Sequence, residues 1–202
     1  NLQVKLGGEY EDTAESMQSL FVAFLVGICL NYILLSTIFR SASQPLIILA
    51  AVPFSLIGVI FAFLTHGLPM SFLGFMGVVG LSGVVVNDSI VLVDYCNELR
   101  RSRPELPLHD LVVMATSQRL RAVLLTTITT VLGLLPTAYG IGGYDPFLVP
   151  MALGFGWGLA VATLLTLILV PVLYFLAERR RQRSQHDRRM NRKKDDGLQT
   201  MV

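Results

Sequence analysis

The triplet Asn87-Asp88-Ser89 is the part of this chain best placed to do chemistry. It lies inside the apolar run 70–96, whose only carboxylates are Asp88 and Asp94. A carboxylate near the centre of a bilayer costs roughly 2.5–3.5 kcal/mol on insertion scales, so it is kept where it faces protein or a water path. Asp88 can therefore exchange a proton, or it can accept hydrogen bonds that hold helices together. The residues alone leave both readings open. Asp94 lies near the end of the run, where water reaches it.

A second polar set follows on the next apolar run. At about 100° per residue, Thr126, Thr130, Gly133 and Thr137 fall within about 60° of one face. Such hydroxyls either bond back to their own helix or form a seam facing Asn87 and Asp88, able to organise water or a proton relay. On the same geometry Gly80, Gly83, Asn87, Val91 and Asp94 share a face, and Asp88 points about 100° away from Asn87. Gly74, Gly77, Gly80 and Gly83 recur at three-residue steps, while Gly154, Gly158 and Ala162 recur at four. With Gly133, these glycines are expected to let neighbouring helices approach closely.

Enzyme chemistry is not expected. Gly80-Leu81-Ser82-Gly83 spells the short serine motif of rhomboid intramembrane proteases, which also need a membrane-embedded histidine base. The histidines here are His66 at a span end, His109 in a loop and His186 in the tail. Asp88 and Asp94 stand about 9 Å apart along one helix, too far for an easy aspartyl dyad. The string Gly154-x-Gly156-x-Gly158 follows no strand, so it reads as packing and not as nucleotide binding. Cys29 and Cys96 lie in apolar runs and suggest small packing residues, with no disulfide framework, metal site or cofactor.

The elements that must carry these residues are membrane helices. Hydrophobic residues make up 53% of the 202, charged residues 15%, and the mean hydropathy is +0.62. Soluble domains carry about 25% charged residues. Five stretches, 20–39, 46–64, 70–96, 123–139 and 147–176, are long enough to cross a bilayer. Of the 16 Lys and Arg, only Lys5 falls on the side opposite the C-terminus when five spans are drawn. That imbalance places the N-terminus outside and the C-terminus in the cytoplasm. Between the third and fourth spans, Leu108, Leu111, Val112 and Ala115 predict a surface-lying amphipathic helix over about 106–119. His109 and Asp110 there read as solvated or capping groups. The polar basic stretch 178–202 predicts a disordered cytoplasmic tail that anchors topology, with anionic lipid as a possible contact and no nucleic-acid role. The opening residue is not Met and no signal peptide precedes the first span, as expected for a piece of a longer chain.

Several segments together resemble one family. The segment 80–95 (GLSGVVVNDSIVLVDY) resembles the tenth transmembrane helix of resistance-nodulation-division (RND) efflux pumps, and 119–136 (RLRAVLLTTITTVLGLLP) resembles the start of their eleventh. Segments 4–9, 39–46, 52–58 and 170–174 are similar, in order, to the end of the periplasmic porter region, the loop and ninth helix, and the end of the twelfth. The resemblance is strongest to the hydrophobe/amphiphile multidrug branch, the acriflavine resistance proteins. It implies an all-α integral membrane fold, the second half of an RND membrane domain. Residues 1–17 would close the porter region, 18–177 would form the bundle, and 178–202 the tail. It further implies an inner-membrane, homotrimeric drug/proton antiporter that works with a periplasmic adaptor and an outer-membrane channel. Its partners would include the N-terminal half of the same permease. Protons would be the coupling ion, with no bound cofactor. The position matching the drug-pump lysine holds Asn87, a neutral amide, and the relay threonine matches Thr126, so Asn87, Asp88, Thr126 and Thr130 become the expected coupling residues. Ala122 stands where the family usually has proline. The alternatives are a lipid exporter or translocation accessory of the same superfamily, or a truncated non-transporting membrane protein.

Overall fold

The computed structural model describes the backbone of residues 8–199 and the side chains of residues 13–181. Within these residues the chain is six helices: α1 (Gly8–Phe39), α2 (Ser43–Leu49), α3 (Ala51–His66), α4 (Phe72–Ser102), α5 (Leu108–Ala138) and α6 (Leu148–Gln199). They give five segments long and apolar enough to cross a membrane: Thr13–Phe39, Ser43–His66, Phe72–Ser102, Leu108–Ala138 and Leu148–Arg181. The five-span, all-helical class read from the sequence is the observed one.

Local chemistry explains where the helices stop. Gly67 ends α3 in a left-handed conformation (φ 61°). Its N–H donates to the Leu64 carbonyl and the Leu68 N–H to the Phe63 carbonyl, the paired bonds of a Schellman cap. Four residues later Ser71 opens α4, its hydroxyl accepting from the Gly74 N–H at 3.2 Å. Asp145 does the same for α6, accepting from the Phe147 and Leu148 N–H groups at 2.8 and 3.3 Å. Within the second span, Pro53 lacks an N–H and its ring clashes with the carbonyl four residues earlier. The span accordingly breaks at Ala50 into α2 and α3.

Two expectations are corrected. The segment 106–119 is not a separate surface helix, because α5 runs unbroken from Leu108 to Ala138. No Gly or Pro interrupts 108–132, and Ala122 leaves the ladder intact. The apolar stripe of that segment faces protein: Leu111, Val112 and Ala115 are buried in the main core. The tail is not irregular as far as it is described. The backbone of α6 continues to Gln199 through a stretch free of Pro and, until Gly197, of Gly. Residues 1–7 and 200–202, and the side chains of 182–199, lie outside the described residues, whereas residues 8–17 already form the first turns of α1.

Packing is centred on α6, which lies along α3, α4 and α5, while among the described residues α1 touches only α2 and α4. The α3–α6 crossing is the tightest. A Cβ on Gly58 would lie 2.8 Å from Val161 Cβ and 3.0 Å from the Gly158 carbonyl oxygen. One on Gly158 would lie 2.5 Å from Leu81 Cδ2 and 2.7 Å from Val59 Cγ2. Backbone approach at that range needs residues without side chains. Near the α3–α4 turn, Trp157 Nε1 donates to Tyr139 Oη at 3.2 Å, and His66 Nε2 lies 3.3 Å from the same oxygen. Amphipathic rings of this kind settle at a membrane–water boundary. At the opposite end, Arg40, Arg100, Arg101 and Arg181 come together, in agreement with the side assigned to the basic residues.

Candidate functional site

Helix α4 carries the triplet and shows two unlike faces. Val78, Leu81, Val85, Leu92, Val93 and Cys96 are buried against the bundle. Met76, Gly80, Gly83, Asn87 and Asp94 are exposed. Of the face drawn from the sequence for Gly80, Gly83, Asn87, Val91 and Asp94, Val91 is half-buried and Gly80 has the Phe155 ring of α6 beside it, whereas Gly83 and Asn87 are exposed on the side of α1. Asn87 opens into a cavity of about 480 Å³ between α1 and α4, whose other polar side chains are Asn31 and Ser82. Both of these bond back to their own helices, Asn31 to the Gly27 carbonyl at 3.3 Å and Ser82 to the Val79 carbonyl at 2.7 Å.

Asp88 points elsewhere. It is half-buried in a narrow cleft between α4, α5 and α6, lined also by Ser89, Arg119 and Thr166. The one-residue step between Asn87 and Asp88 thus puts them in different compartments. Ser89, the third member, is buried and donates to the Val85 carbonyl at 2.8 Å. Arg119 stacks its guanidinium 4.6 Å from the centroid of the Tyr95 ring, and Tyr95 Oη donates to Gln118, so α4 and α5 are tied beside the cleft.

Of the two readings open for the threonines, Thr126 and Thr130 follow the first and bond back to their own helix. Thr126 is exposed and donates to the Val123 carbonyl at 2.9 Å; Thr130 is half-buried and donates to the Thr126 carbonyl at 2.8 Å. Neither lines the Asn87 cavity or the Asp88 cleft. The interior hydroxyl is Thr127, paired with Thr163 of α6 at 2.9 Å, with Thr166 donating to the Thr163 carbonyl at 3.2 Å. Two threonines three apart in the otherwise apolar run 159–177 were the available signal for this second seam.

A larger polar knot, unsuspected from the sequence, ties α2, α4 and α6. Gln44 and Asn97 exchange amide hydrogen bonds at 2.9 and 3.0 Å, and Tyr174 Oη donates to Asn97 Oδ1 at 2.9 Å. One helical turn along, Arg100 is ion-paired with the buried Glu178. Burying a carboxylate is tolerable when a charged, hydrogen-bonding partner accompanies it.

The packing glycines also split. Beyond Gly58 and Gly158, a Cβ on Gly77 would meet the Met151 carbonyl oxygen at 3.0 Å. On Gly74 and Gly154 it would meet the Phe63 ring at 2.7 and 2.9 Å, and on Gly80 the Phe155 ring at 3.1 Å. Gly83 and Gly133 face open space. Cys96 is buried and Cys29 exposed. Among the described residues no group of three His, Cys, Asp or Glu gathers as metal ligands would.

A five-span helical bundle held by inter-helix polar ties defines the class, a multi-pass α-helical membrane protein. The chain belongs to the AcrB/AcrD/AcrF family of RND permeases, which it matches over residues 1–178. Its relatives include the swarming motility protein SwrC of Bacillus subtilis, 33% identical over 86% of this chain and 16% of that one. The cobalt-zinc-cadmium resistance protein CzcA of Cupriavidus metallidurans is 31% identical over 90% and 17%, respectively. The multidrug resistance protein MdtC of Edwardsiella ictaluri is 30% identical over 88% and 18%. The crystal structure of a heavy metal efflux pump superposes with a TM-score of 0.75 at 31% identity, covering 84% of this chain and 16% of the pump. The chain thus spans about a sixth of the length of the relatives it matches.

Proposed function

We propose that this chain is the second half of the membrane domain of a proton-driven RND permease that exports amphiphilic compounds across a bacterial inner membrane. The observation that carries this reading is Asn87, an exposed amide in the middle of α4 that opens into the cavity between α1 and α4. Asn87 stands there in a mostly apolar lining, with no hydrogen bond to another described side chain. An amide on a membrane helix is stable against protein or water, not against lipid. The first half of the same permease is the natural cover. Asn87 would then complete a polar cluster across that interface, Asp88 would respond to protonation from the α5–α6 side, and Thr126 and Thr130 would lie at the edge. A change of charge there alters helix packing and so moves the parts outside the membrane. Trimerisation, a periplasmic adaptor and an outer-membrane channel belong to this reading.

Metal export is the second reading, favoured by the likeness to CzcA and to a heavy metal efflux pump. The test uses the full-length permease in a bacterial host stripped of its own efflux pumps. Lowered accumulation of amphiphilic dyes supports the first reading, and selective protection against cobalt, zinc and cadmium salts supports the second. Asp88→Asn and Thr126→Ala should each reduce proton-coupled efflux at unchanged membrane abundance. Full efflux in both would refute the coupling roles.

A further inference from the structure

Basic residues of α1, α4 and α6 line an open cavity of about 500 Å³ that the coupling chemistry does not use. Arg40 comes from the end of α1, Arg100 and Arg101 from α4, and Arg181 from α6; Asp94 and Glu178 are its acidic members. Glu178 is taken up by Arg100. Among the described residues this leaves three unpaired guanidinium groups, Arg40, Arg101 and Arg181, facing one unpaired carboxylate, Asp94. The cavity is therefore net cationic, and its arginines present planar forks suited to phosphate oxygens.

Its surroundings say where the phosphate comes from. Ile38 and Phe39 line the same cavity. Ile38 continues a ridge with Leu34 and Leu30, one turn apart on the same face of α1, and these three are 57–62% exposed. The ridge runs about 12 Å into the apolar zone. A cationic chamber at the membrane boundary that opens onto an apolar ridge matches an amphiphile with an anionic head and acyl tails.

We propose that this cavity binds the phosphodiester headgroup of an anionic phospholipid of the cytoplasmic leaflet, with its acyl chains along Leu30, Leu34 and Ile38. Arg40 is held by its backbone: it is the one described non-glycine residue with positive φ, 47°, the left-handed step that ends α1 beside the α4 and α6 residues lining the cavity. Arg100, locked to Glu178, fixes the wall between α4 and α6.

The experiment is native mass spectrometry of the full-length permease titrated with phosphatidylglycerol, phosphatidylcholine or inorganic phosphate. Phosphatidylglycerol should be retained and phosphatidylcholine lost. Arg40→Gly, which removes the charge while easing the left-handed backbone, should weaken phosphatidylglycerol binding about fivefold, and adding Arg101→Gln roughly thirtyfold in all. Arg103→Gln, at the same boundary but outside the cavity, should have no effect. Unchanged affinity in the double variant would overturn the site, as would an equal loss in Arg103→Gln, which would mark a diffuse field. Displacement of the lipid by excess inorganic phosphate would assign the arginines to a free anion instead.

Discussion

At the scale of single residues, one step along a helix decides the role of a polar side chain. Asn87 and Asp88 are neighbours in sequence, yet one opens toward α1 and the other toward α5 and α6. The 100° step between them was legible in the sequence; which neighbour stood on each side was not. The same holds for Thr126 and Thr127. Periodicity grouped Thr126 with Thr130, but the position of α6 makes Thr127 the interior partner, through Thr163. Thr127→Val and Thr163→Val should each lower stability slightly. Their coupling in a double-mutant cycle should be about 0.6 kcal/mol, the usual size for hydrogen bonds inside membrane bundles. Thermal unfolding of the four detergent-solubilised proteins measures it, and strict additivity would mean the pair contributes nothing. A thiol probe reads burial independently. In the folded, detergent-solubilised protein a small membrane-permeant maleimide should modify Cys29, on the outward surface of the α1 span, faster than Cys96, which is 1% exposed, and denaturant should remove the difference.

At the scale of elements, hydropathy found all five spans because each is far longer than any buried soluble helix needs to be. It did not find how they are joined or divided. The break at Ala50 follows from Pro53, a local signal that a hydropathy window averages away. The merging of 106–119 into α5 follows from what the sequence lacks there, a helix breaker, and from Leu111, Val112 and Ala115 finding a protein face to bury against. Spacing identified Gly154 and Gly158 but passed over Gly58, an isolated glycine whose importance comes entirely from the helix opposite. Gly58→Ala should therefore destabilise the protein by about 1–3 kcal/mol through overpacking. Gly133→Ala, with open space around it, should be neutral or slightly stabilising, because alanine favours helix by about 1 kcal/mol over glycine. Equal losses of thermal stability in both variants would defeat the clearance argument.

At the scale of the whole molecule, the charge asymmetry and the packing agree on which end is which. In a background with Cys29 and Cys96 replaced by serine, Gly142→Cys in the α5–α6 turn should react with a membrane-impermeant maleimide from outside. Pro104→Cys in the α4–α5 turn should react only once the membrane is opened. The reverse pattern would invert the topology. The open space at Gly83, in the cavity between α1 and α4, makes a further demand: Gly83→Leu, which meets no described atom within 4 Å of its Cβ, should loosen the full-length permease if the first half reaches into that space. An unchanged unfolding temperature would leave that space to lipid.

The α3–α6 crossing has a mechanical consequence. Where Gly58 and Gly158 meet, neither helix can roll without driving backbone into backbone, so the two behave as one stiff beam. On the other flank α1 is held only by α2 and α4, across a cavity. Within the described residues the α3–α6 pair is thus the stiff side of the bundle and α1 the loosely held one, so the first half of the permease would have to brace α1 for a force at α4 to reach the α3–α6 pair.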